Sequence, residues 1–196
     1  MFENVTNLGF ILGWLSVFLH LTAFAIYNWK IVRGLSRPNT ATWGIWAIVA
    51  SLNCASYFFM SQDWVKSLSA IAASVACIFT FVFALFRGRL SKLDRSDGIV
   101  LVISVSAIIV WWVFRSATFA NLLLQGALVA GFIPTLRDVV RKPEQESALP
   151  WLMWSLVYVL LLLIVLLRWS NHWPDLVYPI NSLFWHLLVG VLACRR

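Results

Sequence analysis

The sequence predicts an all-α integral membrane protein. Seven transmembrane helices are expected, as two parallel three-helix bundles joined by a linker helix, a 3+1+3 plan. Three observations carry this reading. Hydrophobic residues make up 61% of the 196 residues and charged ones only 12%, whereas a soluble domain carries about 25% charge and a chain this short has no core large enough to bury so much apolar surface. The apolar residues are gathered into seven runs, each near the length of a bilayer crossing. The chain also matches itself at an offset of 108 positions.

A helix needs about 20 apolar residues to span the hydrocarbon core. Runs of that kind lie at about 8–29, 41–60, 65–86, 98–114, 118–136, 149–168 and 174–194. Span 1 offers Ser16, His20 and Tyr27. The first run lacks a basic flank before it and continues to full spanning length, so no cleavable signal is expected. Span 2 follows NWKIVRGLSRPNT, where Pro38 suits a helix start and Asn39 or Thr40 suits an N-cap. Within it Trp43, Trp46, Ala50, Asn53 and Tyr57 alternate in steps of three and four, which puts them on one stripe. Span 3 opens at Trp64. Span 4, IVLVISVSAIIVWWVF, is the shortest and most uniformly apolar. Span 5 carries Asn121 and Gln125, with Pro134 inside it. Span 6 opens after the N-cap candidate Ser147 with Pro150, and repeats the stripe as Trp151, Trp154, Tyr158 and Leu161. Span 7 offers Tyr178, Asn181 and Trp185, with Ser182 and His186 beside them and Pro179 within. Proline removes an intrahelical bond, so Pro134 and Pro179 are expected to bend their spans.

The basic residues predict orientation. Lys30, Arg33, Arg37, Arg87, Arg89, Lys92, Arg95, Arg137, Arg141, Lys142, Arg195 and Arg196 fall on one side, and only Lys66, Arg115 and Arg168 on the other. Cytoplasmic loops hold the Lys/Arg excess, so the N-terminus is expected outside and the C-terminus in the cytoplasm. The net charge of +7 is thereby accounted for as a topology signal, without a nucleic-acid partner. Asp63 and Asp175, with Glu3, are expected on the outer side and Asp138 at the inner end of span 5. No acid is expected at midplane depth, which leaves no carboxylate coupling site to place.

The offset of 108 aligns Phe24 with Phe132, Val32 with Val140, Arg33 with Arg141, Trp43 with Trp151 and Trp46 with Trp154, and one residue more aligns Trp64 with Trp173. Spans 1–3 and 5–7 therefore read as two copies of one unit: residues 1–88 and 117–196, with 89–116 as the linker. An odd number of spans in each copy means that a single linking helix lets both face the same way, one of the repeat plans found in transporters.

This pattern resembles the SWEET and PQ-loop superfamily and the nicotinamide-riboside transporters, some of which carry a WxxW motif. GFIPTLRDVVRK, residues 131–142, is similar to a PQ-loop segment, with Pro134 present and Thr135 where Gln is expected; the matching pair in the first copy is Ile26-Tyr27. The combination of RPN…W..W with IPT…KPE.ES..PW is similar to a group of bacterial seven-helix membrane proteins. The resemblance implies a bacterial inner membrane location and a central substrate site between the triples, lined by spans 2, 3, 6 and 7. Asn181 is the residue it carries over; its counterpart in span 3 is Ala72.

Polar side chains are costly in lipid and usually face the bundle interior. His20, Trp46, Asn53, Gln125, Trp154, Tyr158, Asn181 and His186 are accordingly the substrate-site candidates, an aromatic lining with amide and imidazole groups suited to a small, flat or amphipathic solute. Competing readings stand beside this one. His20 and His186 sit at similar depth and serve either a proton-sensing or binding pair or helix-contact hydrogen bonds. The four tryptophans serve either the lining or an interfacial belt. Neither a metal nor a cofactor is expected: the histidines lack Cys or Asp partners, and Cys54, Cys77 and Cys194 are scattered. No Ser-His-acid set, HExxH or paired carboxylates appear, so an enzyme is not expected. The expected function is a transporter or facilitator of a small polar or amphipathic metabolite, working by alternating access. The alternative is a non-transporting receptor or assembly protein on the same scaffold.

Overall fold

The structure, a computed structural model, describes residues 2–34, 40–87 and 95–195. Arg37, Pro38, Asn39, Arg89, Lys92 and Arg196 lie outside the described residues. The elements are α1 (Phe2–Val32), α2 (Thr40–Ser61), α3 (Trp64–Arg87), α4 (Arg95–Phe114), α5 (Ala117–Arg141), α6 (Ala148–Leu167) and α7 (Val177–Ala193), with 3-10 turns at Pro143–Gln145 and Trp173–Leu176. Among the described residues, seven helices are long and apolar enough to cross a membrane. Helix is the structure such runs must adopt in lipid, because it satisfies every backbone N–H and C=O within the segment. The outward surface is apolar, with Phe18, Phe79, Val102, Trp112 and Phe184 exposed, as a hydrocarbon solvent requires. By length and composition this is a multi-pass membrane protein.

Helix α3 packs against both α1 and α2, and α7 packs against both α5 and α6. Across the middle, α1 lies on α6 and α2 lies on α5. Helix α4 rests on α5 and touches α2, and it has the smallest buried share of the seven.

Three helix pairs are joined by tight turns, each with one residue in the left-handed region: Gln62 (φ 52°) before α3, Arg115 (φ 52°) before α5 and Asn171 (φ 57°) after α6. Asp63 caps α3, its Oδ1 accepting from the backbone N–H groups of Val65 (2.9 Å) and Lys66 (3.4 Å). Ser116 caps α5 by accepting from Phe119 N–H at 3.3 Å. These side chains satisfy amides that the first helical turn leaves without partners.

Several local expectations change. Pro179 is the third residue of α7, a position where proline breaks no hydrogen bond, so it does not bend the helix interior. Pro134 does lie inside α5. Ser147 occupies the N-cap position of α6, but its hydroxyl makes no cap bond; it instead receives the Lys30 ammonium. Thr40 opens α2 and donates to the Ala84 carbonyl at 2.9 Å, tying α2 to the end of α3.

Two close helix approaches use glycine on opposite partners. A Cβ at Gly44 of α2 would lie 3.0 Å from the Phe81 ring of α3. A Cβ at Gly190 of α7 would lie 2.9 Å from Leu152 of α6. Leu152 stands 108 positions after Gly44, and Gly190 stands 109 after Phe81. At these offsets the glycine stands on the earlier helix in one contact and on the later helix in the other.

Candidate functional site

Buried polar side chains gather where α2, α5 and α7 meet. Asn53 of α2 is 3% exposed and its Oδ1 accepts two bonds, from Asn121 Nδ2 at 3.1 Å and Gln125 Nε2 at 3.0 Å. Asn121 Nδ2 also donates to Ser56 Oγ at 2.9 Å, and Gln125 Nε2 lies 3.2 Å from both the backbone carbonyl and Oδ1 of Asn121. Asn181 of α7 donates through Nδ2 to Gln125 Oε1 and the Gln125 carbonyl, each at 3.2 Å. Trp185 completes the line by donating Nε1–H to Asn181 Oδ1 at 2.9 Å. Each amide shares its groups with the next, which is how a buried polar network avoids the cost of unpaired groups.

A second group lies along the α1–α6–α7 contact and is aromatic. The ring of Tyr158 is 6.1 Å from His20 and 4.9 Å from His186, so one phenol ring touches both imidazoles. Its hydroxyl is 3.4 Å from that of Tyr178. His186 Nδ1 lies 2.7 Å from the Ser182 carbonyl; a carbonyl only accepts, so Nδ1 carries a hydrogen. His20 stacks on Phe24, 5.6 Å between centroids and 11° between planes. Two atoms here have no partner among the described residues: His20 Nδ1 and Trp154 Nε1, in side chains 2% and 4% exposed. Asn28 Oδ1, one turn beyond Phe24, is unpaired as well.

The two groups are joined by Phe132. Its ring is 6.1 Å from Trp185, 4.9 Å from His186 and 5.4 Å from Trp46. All eight residues singled out from the sequence (His20, Trp46, Asn53, Gln125, Trp154, Tyr158, Asn181 and His186) thus belong to one contiguous seam. Trp46, Trp151 and Trp154 pack against it, while Trp14, Trp29, Trp64, Trp112, Trp169 and Trp173 are exposed. Of the motif tryptophans, Trp154 is buried and Trp43, Trp46 and Trp151 are partly buried against the core.

The aromatic contacts repeat at the 108-residue offset. Phe24 meets Trp154 at 4.9 Å across α1–α6, and Phe132 meets Trp46 at 5.4 Å across α2–α5. Phe24 meets Trp43 at 6.1 Å, and Phe132 meets Trp151 at 6.0 Å. Four side-chain contacts thus form two matched pairs. The polar residues do not repeat: position 108 beyond His20 is Leu128, and 108 beyond Asn53 is Leu161. One crossing is lined by amides and the other by imidazole, phenol and indole.

At the end of the molecule bearing the tight turns lies a cluster that sequence reading places only as flanking charges. Lys66 and Asp175, each with a side chain 1% exposed, form an ion pair at 2.7 Å. Lys66 Nζ also donates to Ser170 Oγ at 3.2 Å. His172 Nδ1 lies 2.8 Å from the other oxygen of Asp175, and Tyr57 donates its hydroxyl to the Asp175 carbonyl at 2.9 Å. Arg168 pairs with Asp63 at 2.7 Å alongside. Ser56 and Phe132 are further members of the seam without a polar-spacing signal; the offset of Phe132 from Phe24 is the signal that finds it.

Among the described residues no group of three or more His, Cys, Asp or Glu is placed to hold a metal ion. Comparison with family profiles, curated proteins and solved structures finds no match to this chain.

Proposed function

We propose that this protein is a transporter or facilitator of a small polar or amphipathic solute, built as two three-helix repeats around a linker helix and working by alternating access between them. The repeats are α1–α3 and α5–α7, with α4 as the linker. The observation that carries this reading is the matched contact set: Phe24 on Trp154 and Phe132 on Trp46 lie at equivalent positions of the two crossings between the triples. Equivalent packing at two crossings is what rigid-body rocking of one repeat on the other needs, since both contacts loosen together. The central helix order supports it too, with α3 and α7 each between the other two of their triple.

The solute would sit in the seam. Among the described residues His20 Nδ1 and Trp154 Nε1 have no partner and supply polar contacts for a ligand, while Phe24 and Tyr158 supply flat apolar faces. The amide line from Asn53 to Asn181 supplies donors and acceptors once α2 and α5 part. A bacterial inner membrane location is proposed with the tight-turn end outside. Lys66 and Arg168 at that end are paired with Asp175 and Asp63, which leaves Arg115 there, while Lys30, Arg33, Arg87, Arg95, Arg137, Arg141, Lys142 and Arg195 gather at the other end, as for cytoplasmic links.

Uptake into proteoliposomes across a panel of metabolites tests this reading. At least one solute should move, and Asn181→Ala and His186→Ala should each slow it by about tenfold, the equivalent of one lost polar contact of about 1.4 kcal/mol. A second reading, a non-transporting receptor or assembly protein, is favoured by one observation: the amides of Asn53, Asn121, Gln125 and Asn181 are satisfied by each other, as in a static core. Inert liposomes together with a stoichiometric co-purifying partner would select it.

A further inference from the structure

Lys66 and Asp175 are 109 residues apart, the same offset that brings Trp64 onto Trp173 and Gln62 onto Asn171. They are therefore repeat-equivalent positions in contact with each other. Two equivalent positions can touch only where they straddle the axis relating the copies, as in an isologous interface. One copy places a cation there and the other an anion. Around this point four further contacts cross between the copies. Arg168 pairs with Asp63, Lys66 Nζ donates to Ser170 Oγ, Tyr57 donates to the Asp175 carbonyl, and the ring of Tyr57 lies 5.2 Å from that of Tyr178.

We propose that the Lys66–Asp175 pair is the seal that closes the tight-turn end of the interface between the repeats. The proposal rests on the transport reading above for its purpose, but its geometry stands without it. Both charges are buried in the closed form. Removing one partner leaves the other unpaired in a dry site, which is strongly unfavourable. Parting the two turns instead lets water reach both. The end therefore opens as a unit or stays shut.

His172 lies 2.8 Å from the second oxygen of Asp175. The two belong to one turn, three residues apart, so this contact travels with Asp175 when the repeats part, and Lys66 is the partner that is lost.

The test is a distance measurement by electron paramagnetic resonance. Spin labels are placed at Trp64→Cys and Trp173→Cys, both exposed, with Cys54, Cys77 and Cys194 replaced by Ser, in lipid nanodiscs. The expected result is a single short distance with Lys66 and Asp175 intact. Lys66→Met should shift the open-to-closed ratio toward a longer distance by at least about tenfold, because the other member of a buried pair is left uncompensated. Lys66→Asp with Asp175→Lys should restore the short distance. Should Lys66→Met not fold, Asp175→Asn, which keeps the side-chain shape, still decides. One fixed distance in every variant, or a charge swap that keeps the long distance, overturns the proposal. Moving turns without solute flux would sink the transport reading alone; flux with immobile turns would sink the seal alone.

Discussion

The ring of Phe24 rests against Trp154 across the α1–α6 crossing, 4.9 Å between centroids. Its counterpart 108 residues later, Phe132, rests against Trp46 across α2–α5 at 5.4 Å. Phe24 is 8% exposed and Phe132 2%, so both are interior pins. Truncating a buried Phe to Ala costs about 3–5 kcal/mol. Phe24→Ala and Phe132→Ala are expected to lose similar amounts in thermal or denaturant unfolding in detergent. Phe184→Ala, on the lipid face at 57% exposure, should lose almost nothing. A large difference between the first two would mean that the crossings are not equivalent.

The close glycine contacts give a coupling test. Gly190→Ala drives a methyl to 2.9 Å from the Leu152 side chain, an overpacking of about 1–3 kcal/mol. Leu152→Ala in the same chain should recover most of that loss, giving a negative interaction energy in a double-mutant cycle. Additive losses would show that α6 and α7 do not meet there.

The amide line makes a different prediction. Asn53→Leu removes the acceptor shared by Asn121 and Gln125, leaving donors short of partners at a cost of about 1–3 kcal/mol. Asn53→Leu combined with Asn121→Leu and Gln125→Leu should be less destabilising than the sum of the three, because it leaves fewer orphaned groups. Chemical unfolding of the four variants checks this.

The buried ion pair should behave as paired charges do in a dry site. Lys66→Met alone leaves Asp175 without its main partner and is expected to cost about 3–5 kcal/mol. Lys66→Met with Asp175→Leu should be close to neutral. Thermal unfolding at constant pH reads both; equal losses in single and double variants would contradict the assignment.

Much of this seam is legible in the sequence. The Trp43–Trp46 and Trp151–Trp154 spacing repeats because both pairs fill the same helix crossings, so a one-dimensional offset records a three-dimensional contact. Asn53, Gln125 and Asn181 stand out because amides in an apolar run have to find partners inside. The ion pair does not stand out. Lys66 and Asp175 sit at span edges, where charges ordinarily meet water, and only the folding of the α6–α7 turn over the start of α3 buries them. Ser56 is equally silent, since a serine in a helix usually bonds its own backbone. Pro179 misleads because a 3-10 turn, Trp173–Leu176, occupies what reads as the first turn of span 7, so the helix proper starts late.

Cross-linking with a transport readout tests the central claim most directly. A reducible bifunctional thiol reagent joining Trp64→Cys to Trp173→Cys, in the cysteine-replaced background, ties the start of α3 to the turn before α7. If the repeats move on each other to pass a solute, the tethered protein should lose uptake in proteoliposomes and regain it on reduction. Uptake that continues undiminished through the tether would contradict alternating access between α1–α3 and α5–α7.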